Sequence, residues 1–147
     1  MTLREYIKNN FERVYYINLD SRTDRRDRCI EIFKQYNILD IVCRVSGVAP
    51  TIDDIKDDIY IPTNKKIPIN KILGRIGCTT SHLKVMQMAK HDKIERILIF
   101  EDDIEFYSGK EDTVHDYEQI LYDANKTLQT VKWDLHYLGY YPCPNKG

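Results

Sequence analysis

The sequence predicts an α/β fold, a mostly parallel sheet flanked by helices. Two observations carry that expectation. Residues Val14 to Val45 read as strand, helix and strand in succession, the grammar of a parallel βαβ unit. Further on, Ile97-Leu98-Ile99-Phe100 is a run suited to a strand covered on both faces. It stops abruptly at Glu101-Asp102-Asp103. Ligands of open α/β sheets bind at the carboxyl ends of such strands.

The whole chain fits one domain. Its 147 residues can bury a real core, and 42% hydrophobic with 31% charged residues is ordinary for a globular protein. The net charge of −1 gives no general attraction to nucleic acid or anionic membrane. No apolar run reaches the length of a transmembrane segment. Met1 to Phe11, with Arg4, Glu5 and Lys8, lacks the apolar core of a signal peptide, so a cytoplasmic location is expected. Cys29, Cys43, Cys78 and Cys143 form no CxxC pair and are dispersed. The first three lie among apolar neighbours, and small buried thiols are expected rather than disulfides.

Val14 to Leu19 is aromatic and β-branched before a polar turn, and is the first strand. Asp20 or Ser21 then caps a helix from about Thr23 to Tyr36, with Cys29, Ile30, Phe33 and Tyr36 on one stripe and Asn37 as its stop. Ile41 to Val45 is the second strand, ending at Ser46-Gly47. From Ala49 to about Leu73 the periodicity dissolves into a long loop punctuated by Pro50, Pro62 and Pro68. It has an acidic half (Asp53, Asp54, Asp57, Asp58) and a basic half (Lys65, Lys66, Lys71). The acidic pairs read as the solvated face of a short turn carrying Ile52, Ile55 and Ile59. A second helix starts near Gly77 to Thr80 and runs to about His91, with Cys78, His82, Val85 and Ala89 on one face. The strand Glu95–Phe100 follows, then a helix from Tyr117 to Thr130 and a fourth strand over Trp133 to Leu138, ending at Gly139.

Three constellations could carry chemistry. Like charges as close as Glu101, Asp102 and Asp103 raise one another's pKa, a cost that a divalent cation removes. In extended backbone Glu101 and Asp103 point one way and Asp102 the other. The pair could hold a metal while Asp102 meets a ribose hydroxyl or a basic side chain. The alternative is a solvated, helix-capping acidic turn. After the first strand, Arg22, Arg25, Arg26 and Arg28 crowd a helix entry that already favours anions. They could equally form a solvated face paired with Asp24, Asp27 and Glu31. In Arg75 to His82, Gly77 permits close backbone approach and the hydroxyls can cap free N–H groups. His82 stands there as a ligand or as a satisfied core histidine.

These stretches, in this order, resemble glycosyltransferase family 25, which includes lipooligosaccharide galactosyltransferases of bacteria and the galactosyltransferase domains acting on collagen hydroxylysine. The family's strand ending in Ile-Asn-Leu before Arg-x-x-Arg is similar to Ile17 to Arg25. Its Gly-x-x-Gly-Cys-x-x-Ser-His helix entry is similar to Gly74 to His82, and its strand into Glu-Asp-Asp to Ile97–Asp103. Val45-Ser46-Gly47-Val48 and Trp133 to Gly139 also resemble family segments, so the likeness spans about Val14 to Gly139.

The resemblance implies a GT-A-like, Rossmann-type fold and a Mn²⁺ (or Mg²⁺) ion held by Glu101 and Asp103. It implies transfer of a hexose from a UDP-sugar, with inversion, to a hydroxyl acceptor on a glycan or protein. Asn18, Asp20, Arg22, Arg25, Gly77, Ser81, His82 and Asp102 are the implied donor-binding residues. An inverting transfer needs a base for the acceptor hydroxyl, and no residue is nominated for it. Family catalytic domains continue beyond Tyr141 to Gly147, so residues 1–147 are expected to be one short or carboxyl-truncated domain. Two alternatives stay open: a non-catalytic nucleotide-sugar or glycan-binding module, and a phosphoacceptor domain, against which the arginines after the first strand argue. The sequence sets no oligomeric state.

Overall fold

The computed structural model describes residues 1–54, 67–106 and 117–139. The expected α/β arrangement is present as a Rossmann-like, wholly parallel sheet with helices on both faces. Its strands are β1 (Arg13–Asn18), β2 (Val42–Ser46) and β3 (Ile97–Glu101), in the order β2-β1-β3. Val14 sits opposite Val42 and Leu98, and Ile17 opposite Val45 and Glu101. The central strand β1 is therefore covered on both faces, and every residue from Val14 to Asn18 is buried. Its alternate side chains divide the core in two. Val14 and Tyr16 join Phe33, Leu98 and Phe100, while Tyr15 and Ile17 join Val45 and Val85.

The larger half of the core is aromatic. Helix α2 (Thr23–Gln35) inserts Phe33 between Tyr16, at 5.2 Å between ring centroids, and Phe100, at 5.9 Å. Such pairs contribute about 0.5–1.5 kcal/mol each beyond the area they bury. Asn37 stops α2 as its sequence position suggests. It takes a left-handed φ of 54°, and the bonds Asn37 N–H to Lys34 C=O and Ile38 N–H to Phe33 C=O close a Schellman motif. The expected cap by Asp20 or Ser21 does not form. The N-cap is Arg22, without a side-chain cap bond, because the Asp20 carboxylate is taken by Arg44 and Ser46 at the end of β2.

An element missed in the sequence, helix α1 (Leu3–Asn10), covers one end of this core. A capping box joins Thr2 and Glu5, and Leu3, Tyr6, Ile7 and Asn10 are buried at helical spacing. Arg4 clamps α1 to the turn after α2 through the Asn37 carbonyl and a bidentate pair with Asp40. The buried Asn10 amide reaches Asn125 of helix α4 (Tyr117–Thr130).

Other expectations need correction. The second helix of the sequence reading, here α3 (Ile69–His91), starts two turns earlier than expected, with Pro68 as its N-cap and both Gly74 and Gly77 inside it. Its buried face is Gly77, Ser81, Val85 and Ala89, a strict series of four. Cys78 and His82 lie one position round, so they leave the core and face a cleft. Cys29 is buried as expected, but Cys43, on strand β2 at the edge of the described sheet, and Cys78 are exposed, and all three described cysteines are free. Trp133 to Leu138 is not a strand, since none of the described strands pairs with it. Trp133 packs on Phe11 instead, while Leu135 and Tyr137 are exposed. Asp54 accepts from the Thr51 N–H and hydroxyl. Ile55, Asp57, Asp58, Ile59, Pro62, Lys65, Lys66, Cys143 and the Tyr141–Gly147 end lie outside the described residues. No helix among the described residues is long and apolar enough to cross a membrane.

A Cβ on Gly77 would come within 2.5 Å of the Val48 carbonyl oxygen, whereas one on Gly74 meets nothing within 4 Å. Gly77→Ala should lower the melting temperature despite alanine's helix propensity, and Gly74→Ala should raise stability by up to about 1 kcal/mol. Equal gains at both sites in thermal unfolding would contradict the close contact. The Arg4 guanidinium holds the Asp40 carboxyl down at about 2. A carboxyl depressed on folding stabilises fully above its unfolded value of about 3.9 and loses that contribution as pH falls through its folded value. The difference in melting temperature between the native chain and Asp40→Asn should therefore persist at neutral pH and fade between about pH 4 and 2.

Candidate functional site

The carboxyl ends of the three strands, the entry of α2 and the amino-terminal half of α3 enclose a cleft of about 410 Å³. Asn18, the last residue of β1, organises its floor. The residue is 1% exposed, and its side chain uses its full hydrogen-bonding capacity. The Nδ2 amine donates to the Arg22 carbonyl at 3.0 Å and to Asp102 Oδ2 at 2.8 Å. Oδ1 accepts from both Nε and Nη2 of Arg44, each at 3.1 Å. Turning the amide over would set its oxygen against two acceptors and its amine against a guanidinium, so chemistry fixes the orientation.

Asp102 is thereby held on both oxygens, because Arg25 Nη1 donates to Oδ1 at 2.7 Å. The Cys29 thiol, pushed up by burial, donates to the Asp102 carbonyl at 3.5 Å. Strand β3 ends at Glu101, and Asp102 and Asp103 lie in a turn. Glu101 looks toward α3, where its Oε1 is 3.2 Å from His82 Nε2 and 3.9 Å from Cys78 Sγ. These three ligand atoms lie within 4.8 Å of one another. The Cys78 thiol is pushed up by its partial burial and by the Glu101 charge. Asp103, its side chain 62% exposed, stands 3.9 Å from Arg25.

The opposite wall depends on α3. Ser81 Oγ accepts from the Val48 N–H at 2.8 Å and donates to the Gly77 carbonyl at 2.6 Å. The serine thus caps the N–H of the strand-end segment rather than one of its own helix. With no side chain on Gly77, the Val48–Pro50 segment lies directly on the helix.

Of the residues singled out in the sequence, Arg22, Arg25, Gly77, Ser81, His82, Glu101 and Asp102 line the cleft. Asn18 lies beneath it, bonded to Asp102, and Asp103 lies at its rim beside Arg25. Asp20 is turned away, toward Arg44 and Ser46, whose hydrogen bonds hold its carboxyl below the usual range. The arginines split between their two readings. Arg22 pairs with Asp24, drawing that carboxyl to about 2, and Arg26 with Asp27, as on a solvated face. Arg25 instead reaches into the site, and Arg28 pairs with Glu105. Two residues were missed. Arg44 pins Asn18, and only strand pairing brings it there. Cys78 joins the cleft, a placement its spacing of four from His82 could have signalled.

The chain is similar to procollagen galactosyltransferase 2 of Mus musculus, 28% identical over 139 residues, 90% of this chain and 21% of that protein. It is equally similar, at 28%, to inactive glycosyltransferase 25 family member 3 of Homo sapiens and to a glycosyltransferase 25 family member of Aedes aegypti, covering 90% of this chain and 22% of each. The chain thus spans about a fifth of the length of the curated relatives it matches. No solved structure matches. The family model described as glycosyltransferase family 25 (LPS biosynthesis protein) matches residues 11–138, and the chain belongs to that family.

Proposed function

We propose that this chain is the donor-binding part of a glycosyltransferase that moves a hexose, galactose or glucose, from a UDP-sugar to a hydroxyl acceptor on a glycan or hydroxylysine-type protein. The transfer would proceed with inversion. The observation that carries this reading is the division of labour within the acidic triplet. Asp102 is locked by Asn18 and Arg25, while Glu101 and Asp103 remain exposed at the strand end.

The locked acid positions Arg25 at the cleft, where its guanidinium offers donors to a diphosphate. The second lone pairs of Asp102 can still accept a ribose hydroxyl. Leu19, Val48 and Pro50 give the cleft an apolar wall for a flat base, and Gly77 lets that wall sit close. We assign Mn²⁺ or Mg²⁺ to Glu101 and Asp103 because hard cations take carboxylate oxygens and neither acid is held on both oxygens as Asp102 is. An ion held there would supply Lewis-acid stabilisation to the departing diphosphate.

A second reading is binding of a nucleotide-sugar without transfer. It is favoured by the human relative whose name calls it inactive. Release of free hexose from a UDP-hexose, or transfer to an acceptor, would exclude it.

Calorimetry with UDP tests the donor site. Mn²⁺ should tighten UDP binding to the native chain, and Glu101→Gln and Asp103→Ala should each remove that gain. Arg25→Ala should weaken UDP binding by about 1.5–3 kcal/mol, the worth of a hydrogen bond to a charged group. UDP affinity that is indifferent to the ion would contradict the reading.

A further inference from the structure

One feature of the cleft is unnecessary for a hard cation. Cys78 presents its sulfur to the same Glu101 oxygen that faces His82. Mn²⁺ and Mg²⁺ gain little from a thiolate, whereas Zn²⁺ binds sulfur, imidazole and carboxylate together. We propose that Cys78, His82 and Glu101 form a three-ligand site for a thiophilic divalent cation, Zn²⁺ foremost, with its fourth position open to the cleft.

The geometry is close to what such an ion requires. Zinc–ligand bonds of about 2.0–2.3 Å at tetrahedral angles give ligand–ligand edges of about 3.4–3.6 Å. The observed separations are 3.2 Å from imidazole to carboxylate and 3.9 Å from sulfur to carboxylate. Cys78 and His82 are one helical turn apart on α3, so both project from one face. The rotation of that helix is fixed by two contacts on its neighbouring face: Gly77 against Val48, and Ser81 bonded to the Val48 N–H. Glu101 is fixed by the register of β3 on β1. The site is therefore built from two rigid elements. All three residues line the cleft, which leaves a coordination position for water or an oxygen of a bound ligand, as in zinc sites that act on substrates.

The zinc site stands on this geometry alone. Its consequence for the donor rests on the reading of the cleft proposed above: Zn²⁺ taking Glu101 would remove that ligand from Mn²⁺ and weaken metal-assisted UDP binding.

Co²⁺ titration of the full chain, without nucleotide, tests the site, since Co²⁺ replaces Zn²⁺ and reports its ligands by colour. One equivalent should give intense tetrahedral visible bands and a sulfur-to-cobalt charge-transfer band, both abolished by Zn²⁺. Cys78→Ser should lose the sulfur band while keeping the exposed thiol of Cys43 as an internal control. Far-ultraviolet circular dichroism confirms that this variant is folded, and Glu101→Gln provides a second variant that should lose the tetrahedral intensity. Absence of a sulfur band in the native chain, or its survival in Cys78→Ser, would overturn the zinc site. A parallel UDP titration separates the two proposals: binding weakened by Zn²⁺ in the presence of Mn²⁺ supports both. UDP affinity unmoved by either ion, with the cobalt bands intact, rejects the donor reading alone.

Discussion

The carboxamide of Asn18 joins four parts of the chain at the strand ends. It ends β1, donates to the first turn of α2 at Arg22, accepts from Arg44 of β2, and holds Asp102 beyond β3. A polar side chain this deeply buried is costly unless its donors and acceptors are matched, since each unmatched group costs about 1–3 kcal/mol. Asn18 meets that condition, and the cost of failing it becomes a restraint on the strand ends. Parallel pairing sets the register, and the amide then fixes where the loops leave the sheet.

What the cleft can do follows from that restraint. Asp102 would repel its acidic neighbours if left free, yet Asn18 and Arg25 satisfy it at 2.8 and 2.7 Å. Its immobilisation directs Arg25 to the cleft and leaves Glu101 to α3. On the far wall the missing side chain of Gly77 and the bridging hydroxyl of Ser81 set the depth of α3 against Val48. Glu101, His82 and Cys78 meet because two independently fixed elements converge there. The short distances are thus products of packing, and their chemistry depends on core residues such as Val85 and Val45 that do not line the cleft.

The periodicities of the sequence made most of the scaffold legible. Strands β1 and β3 and helices α2 and α4 lie within a residue or two of their expected bounds. Helix α1 carries a signal too, in Thr2-x-x-Glu5 and the spacing of Leu3, Tyr6, Ile7 and Asn10, but its 8 residues are too few for a clear helical periodicity. The start of α3 was obscured by Gly74 and Gly77, which read as a helix entry and instead serve a helix pressed against backbone. Trp133 to Leu138 has strand composition, yet composition does not supply a partner strand. In the site, local spacing located the acids and arginines. The partition among them came from long-range pairings, Asp20 with Arg44 and Arg25 with Asp102, that one sequence does not display.

The most direct measurement of this account is a double-mutant cycle on Asn18 and Asp102. Urea unfolding of the native chain, Asn18→Ala, Asp102→Ala and the double variant gives their coupling free energy. Groups bonded at 2.8 Å within one buried network should couple by about 1–3 kcal/mol. If the two substitutions instead add within about 0.5 kcal/mol, Asn18 does not hold the acidic turn, and the account of the strand ends fails.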